Sequence, residues 1–95
     1  MQTATQETIK ASAIFRLLAD PTRLNILQLF FTSKREWCVY EVAEAVQMSQ
    51  SATSHQLAKL EAHDIVSSYR DGQNICYALK KSTMTKSIQR ILKSL

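Results

Sequence analysis

The sequence predicts a mostly α-helical domain with a small β-hairpin, and three observations lead to this fold class. The 95 residues contain one glycine and one proline, far fewer than the many tight turns of a β-sandwich or barrel require. Apolar residues recur at three- and four-residue steps over most of the chain, as in amphipathic helices. Only after Asp64 does the pattern change to two short β-branched and aromatic runs.

The first two helices are separated by Asp20-Pro21. From Glu7 to Ala19 the apolar spacing predicts an amphipathic helix. Proline suits the first turn of a helix, and Asp20 is placed to cap the helix that follows. This second helix, from Pro21 to about Phe31, is apolar nearly all round, which predicts a position in the middle of the core.

Two further helices follow at close spacing. The third is short and ends near Gln47, and the fourth is capped by Ser49 or Ser51 and continues to about His63. A connection of three or four residues between two helices is the outline of a helix-turn-helix.

The remaining segments predict a hairpin and a last helix. The two β-type runs flank Asp71-Gly72, a strong hairpin signal, and the only glycine stands where a positive φ is needed. Ser82 is placed to cap the terminal helix. The order of about five helices with a two-stranded wing before the last predicts a winged helix-turn-helix, in one domain over residues 1–95.

The charge distribution favours an anionic partner for the second half of the chain. Hydrophobic residues make up 45% of the sequence and charged residues 21%, which is typical of a globular protein and too apolar for a disordered one. Residues 1–48 carry five basic and five acidic side chains, whereas residues 49–95 carry seven basic and three acidic ones. The polar N-terminus and the lack of any apolar run of about 20 residues predict a cytoplasmic protein without a membrane partner.

The fourth helix and the hairpin tip carry the candidate DNA-binding residues. Their side chains are amides, hydroxyls, imidazole and cations, which donate to base edges and phosphates, and no carboxylate precedes Glu61. The alternative is a solvated helix face and a turn that contacts nothing. We expect Gln50, Ser51, Thr53, Ser54, His55 and Gln56 near base edges or adjacent phosphates, and Lys59, Arg70, Gln73 and Asn74 mostly on the DNA backbone.

Three segments resemble the ArsR/SmtB family of bacterial transcriptional repressors: ADPTRLNIL at 19–27, QSATSHQLAKL at 50–60 and YRDGQNICY at 69–77. The resemblance extends from about Ile9 to the C-terminus. It implies a homodimer built from the first and last helices that binds an imperfect palindrome in double-stranded DNA. Two departures are mild: Gln56 replaces a histidine, and Asp64 stands where glycine usually ends the recognition helix, a position where Asp tolerates the left-handed conformation.

The terminal helices also favour dimerisation independently of the resemblance. The first and last helices carry more apolar side chains than one small domain readily covers, and a twofold pair would bury the surplus. The alternative is that both helices only close the core of the monomer. The side chains concerned are Ile9, Ile14, Leu17 and Leu18 in the first helix and Ile91, Leu92 and Leu95 in the last.

Neither metal site familiar from the resembled family is complete in this chain. The thiolate site takes the form Cys-x-Cys, and here the run from Glu36 to Glu41 has Cys38 with Tyr40 in place of the second thiolate. A zinc ion requires four ligands, and a soft metal two or more thiolates. The site of the paired terminal helices needs Asp, His and Glu, and residues 82–95 contain none of these. We therefore expect no metal and no cofactor.

Cys38 and Cys76 are candidate redox thiols, since some family members without metal sites respond to oxidants through cysteines. Cys38 lies at a helix start, where the helix dipole lowers the pKa of a thiol. The hypothesis is that oxidation of Cys38 weakens DNA binding. The alternative is that both residues are small buried hydrophobes.

The sequence also bears on two other classes of function. An enzyme is not expected, because the sequence has no carboxylate pair in a plausible pocket, no glycine-rich phosphate loop and no Cys or Ser with an obvious His partner. The other class is a winged-helix protein-interaction module that has lost DNA binding, and the acid-free polar cluster of the fourth helix argues modestly against it.

Overall fold

A computed structural model describes residues 3–95 and contains five helices and three strands. It agrees with the predicted order of helices and hairpin and adds one short strand before the third helix. The elements are α1 (Gln6–Leu18), α2 (Pro21–Ser33), β1 (Trp37–Cys38), α3 (Val39–Val46), α4 (Gln50–Ala62), β2 (Val66–Asp71), β3 (Asn74–Leu79) and α5 (Thr83–Ser94).

The predicted helix caps are present. The Asp20 carboxylate accepts a hydrogen bond from the backbone N–H of Thr22 at 2.9 Å. The hydroxyl oxygens of Ser49 and Ser82 accept from backbone N–H groups of α4 and α5, at 3.1 Å each. Such caps satisfy donors that have no partner within the helix, and each contributes about 1 kcal/mol. Ser49, and not Ser51, therefore fixes the start of α4.

The three strands form an antiparallel sheet in the order β1-β3-β2. Asp71 pairs with Asn74, so the two loop residues are Gly72 and Gln73, one position later than the predicted turn. Gly72 has a φ of 63° and Gln73 has none in the positive range, which is typical of a type II′ turn. Strand β1 was not predicted, because two residues are too few for an alternating pattern.

Three non-glycine residues adopt positive φ where helices end. The prediction for Asp64 is confirmed, with a φ of 60° directly after α4. Lys34 and Gln47 end α2 and α3 in the same way, with φ of 55° and 59°. The left-handed region costs such residues about 1–2 kcal/mol, so packing around these junctions must hold them.

Helix α2 lies at the centre of the core, as its apolar surface predicted. Its residues Ile26, Leu27 and Phe30 have no exposed surface. They belong to one cluster with residues from α4, the sheet and α5, and burying each such side chain contributes about 1.5–3 kcal/mol. The other fully buried or nearly buried members include Leu57, Leu60, Ile65, Val66, Tyr77 and Ile88.

Helices α1 and α5 leave large apolar side chains in solvent. Phe15 of α1 is 63% exposed, and Leu95 at the end of α5 is 93% exposed. Ile9 and Ile91 are also exposed on the same two helices. Phe15 was not among the residues predicted for this surface. Within residues 3–95, no helix has the length and apolar character needed to cross a membrane.

Candidate nucleic-acid interface

Helices α3 and α4 form the predicted helix-turn-helix, and the turn between them is residues 47–49. Gln47 ends α3 in the left-handed conformation, and its N–H donates to the carbonyls of both Ala43 and Glu44. Ser49 then begins α4 as its N-cap. The turn is short because Gln47 reverses the chain and Ser49, two residues later, already caps α4. This geometry presents the N-terminal half of α4 at the surface.

The two faces of α4 have different roles. Leu57 and Leu60 are fully buried against the core. The other face is exposed and carries five of the predicted DNA-binding residues: Gln50, Ser51, Ser54, His55 and Lys59. The structure thus brings hydroxyl, amide and imidazole groups together on one solvent-facing strip of the helix.

Thr53 does not belong to this exposed strip. It is 0% exposed, and its hydroxyl donates to the backbone carbonyl of Ser49 at 2.8 Å. Such a bond to the preceding turn satisfies a hydroxyl inside a helix. The burial does not fit the prediction that Thr53 contacts base edges; the residue instead anchors the first turn of α4. Its position beside Leu57, four residues on, is the signal that could have shown this.

Gln56 is half-buried, unlike its neighbours Ser54 and His55. Its side-chain oxygen Oε1 lies inside the protein and has no hydrogen-bond partner among the described residues. A buried acceptor without a partner costs about 1–3 kcal/mol. Gln56 therefore fits the prediction of a base contact less well than the exposed residues of the same helix.

A groove joins the start of α4 to the tip of the wing, the hairpin formed by β2 and β3. Its volume is about 310 Å³. It brings together five predicted DNA-binding residues from both elements and contains no carboxylate. The lining residues are Val39, Tyr40, Gln50, Ser51, Ser54, Gln73, Asn74 and Ile75. Arg70, His55 and Lys59 are exposed but lie outside the groove.

Tyr40 is a candidate contact that the sequence reasoning missed. Its side chain is 46% exposed and lines the groove beside Ser51 and Ser54. In the sequence Tyr40 was considered only as the replacement for a metal-binding thiolate. An exposed aromatic side chain with a hydroxyl can bond a phosphate or contact a base. The signal was its place two residues after Cys38, on the solvent side of a short amphipathic helix.

Polar contacts fix the wing relative to α4 and to the segment before β1. The Glu61 carboxylate accepts hydrogen bonds from the backbone N–H and the hydroxyl of Ser68, at 2.8 and 2.6 Å. The Tyr69 hydroxyl donates to the carboxylate of Glu36. Beyond the end of β3, Lys80 forms an ion pair of 2.9 Å with Asp64. These contacts set the distance between recognition helix and wing.

Tyr69 of the wing and Glu41 of α3 have shifted pKa values. The hydrogen bond to Glu36 is the main reason that the pKa of Tyr69 lies above its usual value of 10.0. The backbone N–H of Cys38 donates to Glu41 at 2.9 Å and is the main reason that the pKa of Glu41 is lowered, with Arg35 contributing. In the folded chain these hydrogen bonds therefore favour the protonated hydroxyl of Tyr69 and the ionised carboxylate of Glu41.

Cys38 and Cys76 are joined by a disulfide. They lie directly opposite each other in β1 and β3, where Cys38 is also the N-cap of α3 and Cys76 is fully buried. The disulfide therefore connects the beginning of the helix-turn-helix to the central strand of the sheet. The sequence alone does not predict this pairing, because it depends on strand β1, which the sequence pattern does not reveal.

Residues 3–95 contain no group of three or more His, Cys, Asp or Glu side chains that could hold a metal ion. His55 lies on the exposed face of α4. His63 is the C-cap of α4, with Nδ1 3.0 Å from the carbonyl oxygen of Lys59. A histidine near the C-terminus of a helix can bond to the last carbonyl groups in this way.

Similar proteins have the same architecture. The crystal structure of NolR from Sinorhizobium fredii matches with a TM-score of 0.78 and 35% identity, covering 99% of this chain and 95% of that one. The solution structure of a homodimeric winged helix-turn-helix domain from Mycobacterium bovis matches with a TM-score of 0.75, covering 99% and 87%; at 20% identity it shows the fold. The fold is therefore a winged helix-turn-helix.

The sequence matches proteins of one regulator family. A transcriptional repressor SmtB homolog from Synechocystis sp. is 40% identical over 65 residues, which are 68% of this chain and 48% of the relative. This chain thus spans about half the length of that relative. Residues 20–68 match the model of the bacterial regulatory protein family arsR. The chain belongs to the arsR family of bacterial regulatory proteins.

Proposed function

We propose that the protein is a transcriptional repressor that binds double-stranded DNA as a homodimer. The observation that carries the proposal is the groove between α4 and the wing tip, which presents amides and hydroxyls from both elements without a carboxylate. Such groups donate to phosphates and base edges, whereas a carboxylate would repel the DNA backbone. The repressor named among the similar proteins supports the same role. Contact with chromosomal DNA also requires a cytoplasmic location, which the proposal includes.

Helix α4 would enter the major groove with its N-terminal half. Ser51, Ser54 and His55 are exposed there, next to Gln50 at the first turn, and are assigned to base edges or adjacent phosphates. The wing would follow the neighbouring DNA backbone. Its residues Arg70, Gln73 and Asn74, together with Lys59 of α4, are assigned mainly to phosphates.

The homodimer is proposed from the exposed apolar surface of α1 and α5. Ile9, Phe15, Ile91 and Leu95 lie in solvent in the single chain, and pairing two copies about a twofold axis would bury them. A twofold protein places two copies of α4 on the DNA. Its operator is then an inverted repeat whose half-sites are about one helical turn apart or a multiple of it.

Selection of bound fragments from random DNA tests this function. The chain is expected to enrich an inverted repeat, with an affinity whose log–log dependence on salt has a slope of about −0.9 per neutralised phosphate. Arg70→Ala should reduce that slope by about 0.9, whereas Arg90→Ala removes the same charge from α5 and should leave it unchanged. If no sequence is enriched and binding is insensitive to salt, the domain is a protein-interaction module instead.

We also propose that the Cys38–Cys76 pair regulates DNA binding through its redox state. The two thiols lose two electrons and two protons to a low-molecular-weight disulfide, which is reduced to two thiols while the Cys38–Cys76 bond forms. That bond ties the wing to the start of α3 and so restricts how the groove adjusts to DNA. Oxidation is therefore expected to weaken DNA binding.

Mobility shifts in oxidised and reduced glutathione test the redox proposal. Wild-type protein should bind its operator more tightly when reduced, and Cys38→Ser should bind equally in both buffers. Cys76→Ala should behave as Cys38→Ser does, since either variant prevents the bond. A redox response that survives in Cys38→Ser would rule this mechanism out.

A further inference from the structure

A large open cavity of the described chain lies away from the groove assigned to DNA. It is an open cavity of about 790 Å³ between the end of α2, residues 34–36, the end of β3 and the start of α5. Small-molecule sites have volumes of about 300–1,000 Å³, so this cavity has room for an organic ligand. We call it the α2–α5 cavity.

The lining of the α2–α5 cavity has an apolar and a cationic part. Its apolar part is formed by Ala78 and Leu79 of β3, which are partly exposed, and by the small exposed part of Phe31, whereas Phe30 lies behind them with no exposed surface. The lining also includes five cationic side chains and a single carboxylate, that of Glu36. A site of this kind is complementary to a ligand with an apolar body and a negative charge.

Some of these charged side chains form ion pairs or hydrogen bonds within the described chain, and others do not. Arg35 pairs with Glu41 at 3.4 Å, Lys80 pairs with Asp64, and Glu36 accepts the hydroxyl of Tyr69. In contrast, the three remaining lysines of the lining form no ion pair with any residue from 3 to 95. They are Lys34, Lys81 and Lys86.

We propose that the α2–α5 cavity binds an amphipathic organic carboxylate, with its hydrocarbon part on Ala78, Leu79 and the exposed part of Phe31 and its carboxylate at Lys34, Lys81 and Lys86. Inorganic anions would leave the apolar part unused, and a neutral hydrocarbon would leave the lysines without a partner. A cationic amphiphile would be repelled by them. The charge balance of the lining thus selects this class of ligand.

The cavity is also connected to the elements that set the groove. Lys80 holds Asp64 at the end of α4, and Glu36 holds Tyr69 in the wing. A carboxylate that attracts Lys80, or displaces Glu36, changes these contacts. Resting on the proposed function, the inference is that the ligand lowers operator affinity and that DNA, by linkage, lowers ligand affinity by the same factor.

Calorimetric titration of the full chain with decanoate, without DNA, tests the site directly. Decanoate should bind, octanoate should bind roughly tenfold more weakly because two methylenes are lost, and acetate and inorganic phosphate should not bind. Decanol, which keeps the chain and lacks the charge, should bind at least tenfold more weakly than decanoate. Equal binding of decanol and decanoate would overturn the proposal.

Matched variants locate the binding. Lys34→Gln, Lys81→Gln and Lys86→Gln should each weaken decanoate binding several-fold, while Lys10→Gln removes the same charge from α1 and should not. If decanoate binds only when dimerisation is disrupted by Phe15→Glu, a second copy of the chain fills the cavity and the proposal is wrong. Because these titrations contain no DNA, their failure leaves the repressor function standing; a binding site without effect on operator affinity would refute only the coupling.

Discussion

The two ends of this molecule expose opposite kinds of surface. At the α4–wing end most of the exposed side chains are hydroxyls, amides and cations such as Ser54, Asn74 and Arg70, although Asp71, Tyr40 and Tyr69 are exposed there as well. At the α1–α5 end they include Phe15 at 63% exposure and Leu95 at 93%. The core between them is fully buried, so the difference does not come from a poorly formed interior.

The difference supports the proposed homodimer, because the single chain buries its core but leaves an apolar surface on α1 and α5 in solvent. Exposed polar groups at the α4–wing end cost nothing in water and remain available for a ligand. Exposed aromatic and aliphatic groups on two adjacent helices retain the free energy that burial would release, about 25 cal/mol per Å² of apolar surface. One end is therefore suited to a charged partner and the other to a second copy.

The largest effect is expected from a charge in the apolar surface. Phe15→Glu places a carboxylate where the dimer contact is proposed, and an unpaired charge does not enter an apolar interface without a large cost. The variant should sediment as a monomer, and operator affinity should fall about a thousandfold, because the second half-site no longer benefits from being tethered.

Ala62→Glu is the control for this variant, since it adds the same charge to an exposed position at the end of α4. It should sediment like the wild type. A monomeric wild type, or a Phe15→Glu dimer, would contradict the assignment of the two ends.

The next largest effect concerns the covalent link at the polar end. Cys38 and Cys76 are 38 residues apart, and closing a loop of that length stabilises a folded chain by roughly 3–4 kcal/mol in the chain-entropy treatment. Urea unfolding with reductant should show a loss of stability of about this size. The double variant Cys38→Ser/Cys76→Ala should have the lower stability in both buffers, and a wild-type midpoint that ignores the reductant would refute the stabilisation.

The parts of the fold that follow from local chemistry could be predicted. Asp20, Ser49 and Ser82 cap helices, and Gly72 takes a positive φ, because such roles depend on residues within a few positions. Helix order and the hairpin follow from periodicity for the same reason. Strand β1 could not be predicted, since two residues gain their structure only by pairing with β3.

The site was predicted less completely than the fold, because its details depend on which way each side chain faces. Residue type alone does not distinguish exposed Ser54 from buried Thr53, and only the four-residue step from Thr53 to Leu57 places Thr53 on the inner face of α4. The pairing of Cys38 with Cys76 and the position of Tyr40 in the groove both depend on tertiary contacts. The amino-acid types predicted which polar groups the proposed interface contains, and the structure was needed to show which of those residues are exposed.

A smaller effect should separate Thr53 from its neighbour Ser54. Thr53→Val removes a buried hydroxyl that donates to Ser49, so stability should fall by about 1 kcal/mol while the exposed face of α4 is unchanged. Ser54→Ala should leave stability unchanged and weaken operator binding about three- to tenfold. Urea unfolding and mobility shifts measure the two quantities, and a reversed pattern would restore Thr53 as a DNA contact.

The smallest effect is expected from the hydrogen bond between Tyr69 of the wing and Glu36 in the segment before β1. The folded chain raises the pKa of Tyr69 because its hydroxyl donates to Glu36, so the protonated form is favoured by folding. The contribution of this bond to stability is complete below pH 10 and is lost as the pH rises through the raised pKa. Because burial also raises the pKa of Tyr77, ultraviolet titration should find two late-ionising tyrosines in the wild type and only one in Tyr69→Phe.

At neutral pH, Tyr69→Phe should weaken operator binding less than about threefold, because an exposed polar contact contributes little and Glu61 still holds the wing through Ser68. Tyr40→Phe is the matched control for the titration, since it removes a tyrosine outside this bond. A large loss of affinity in Tyr69→Phe would mean that the polar end depends on single contacts. A small loss would show that several weak hydrogen bonds position the wing, whereas the proposed dimer contact depends on one apolar surface.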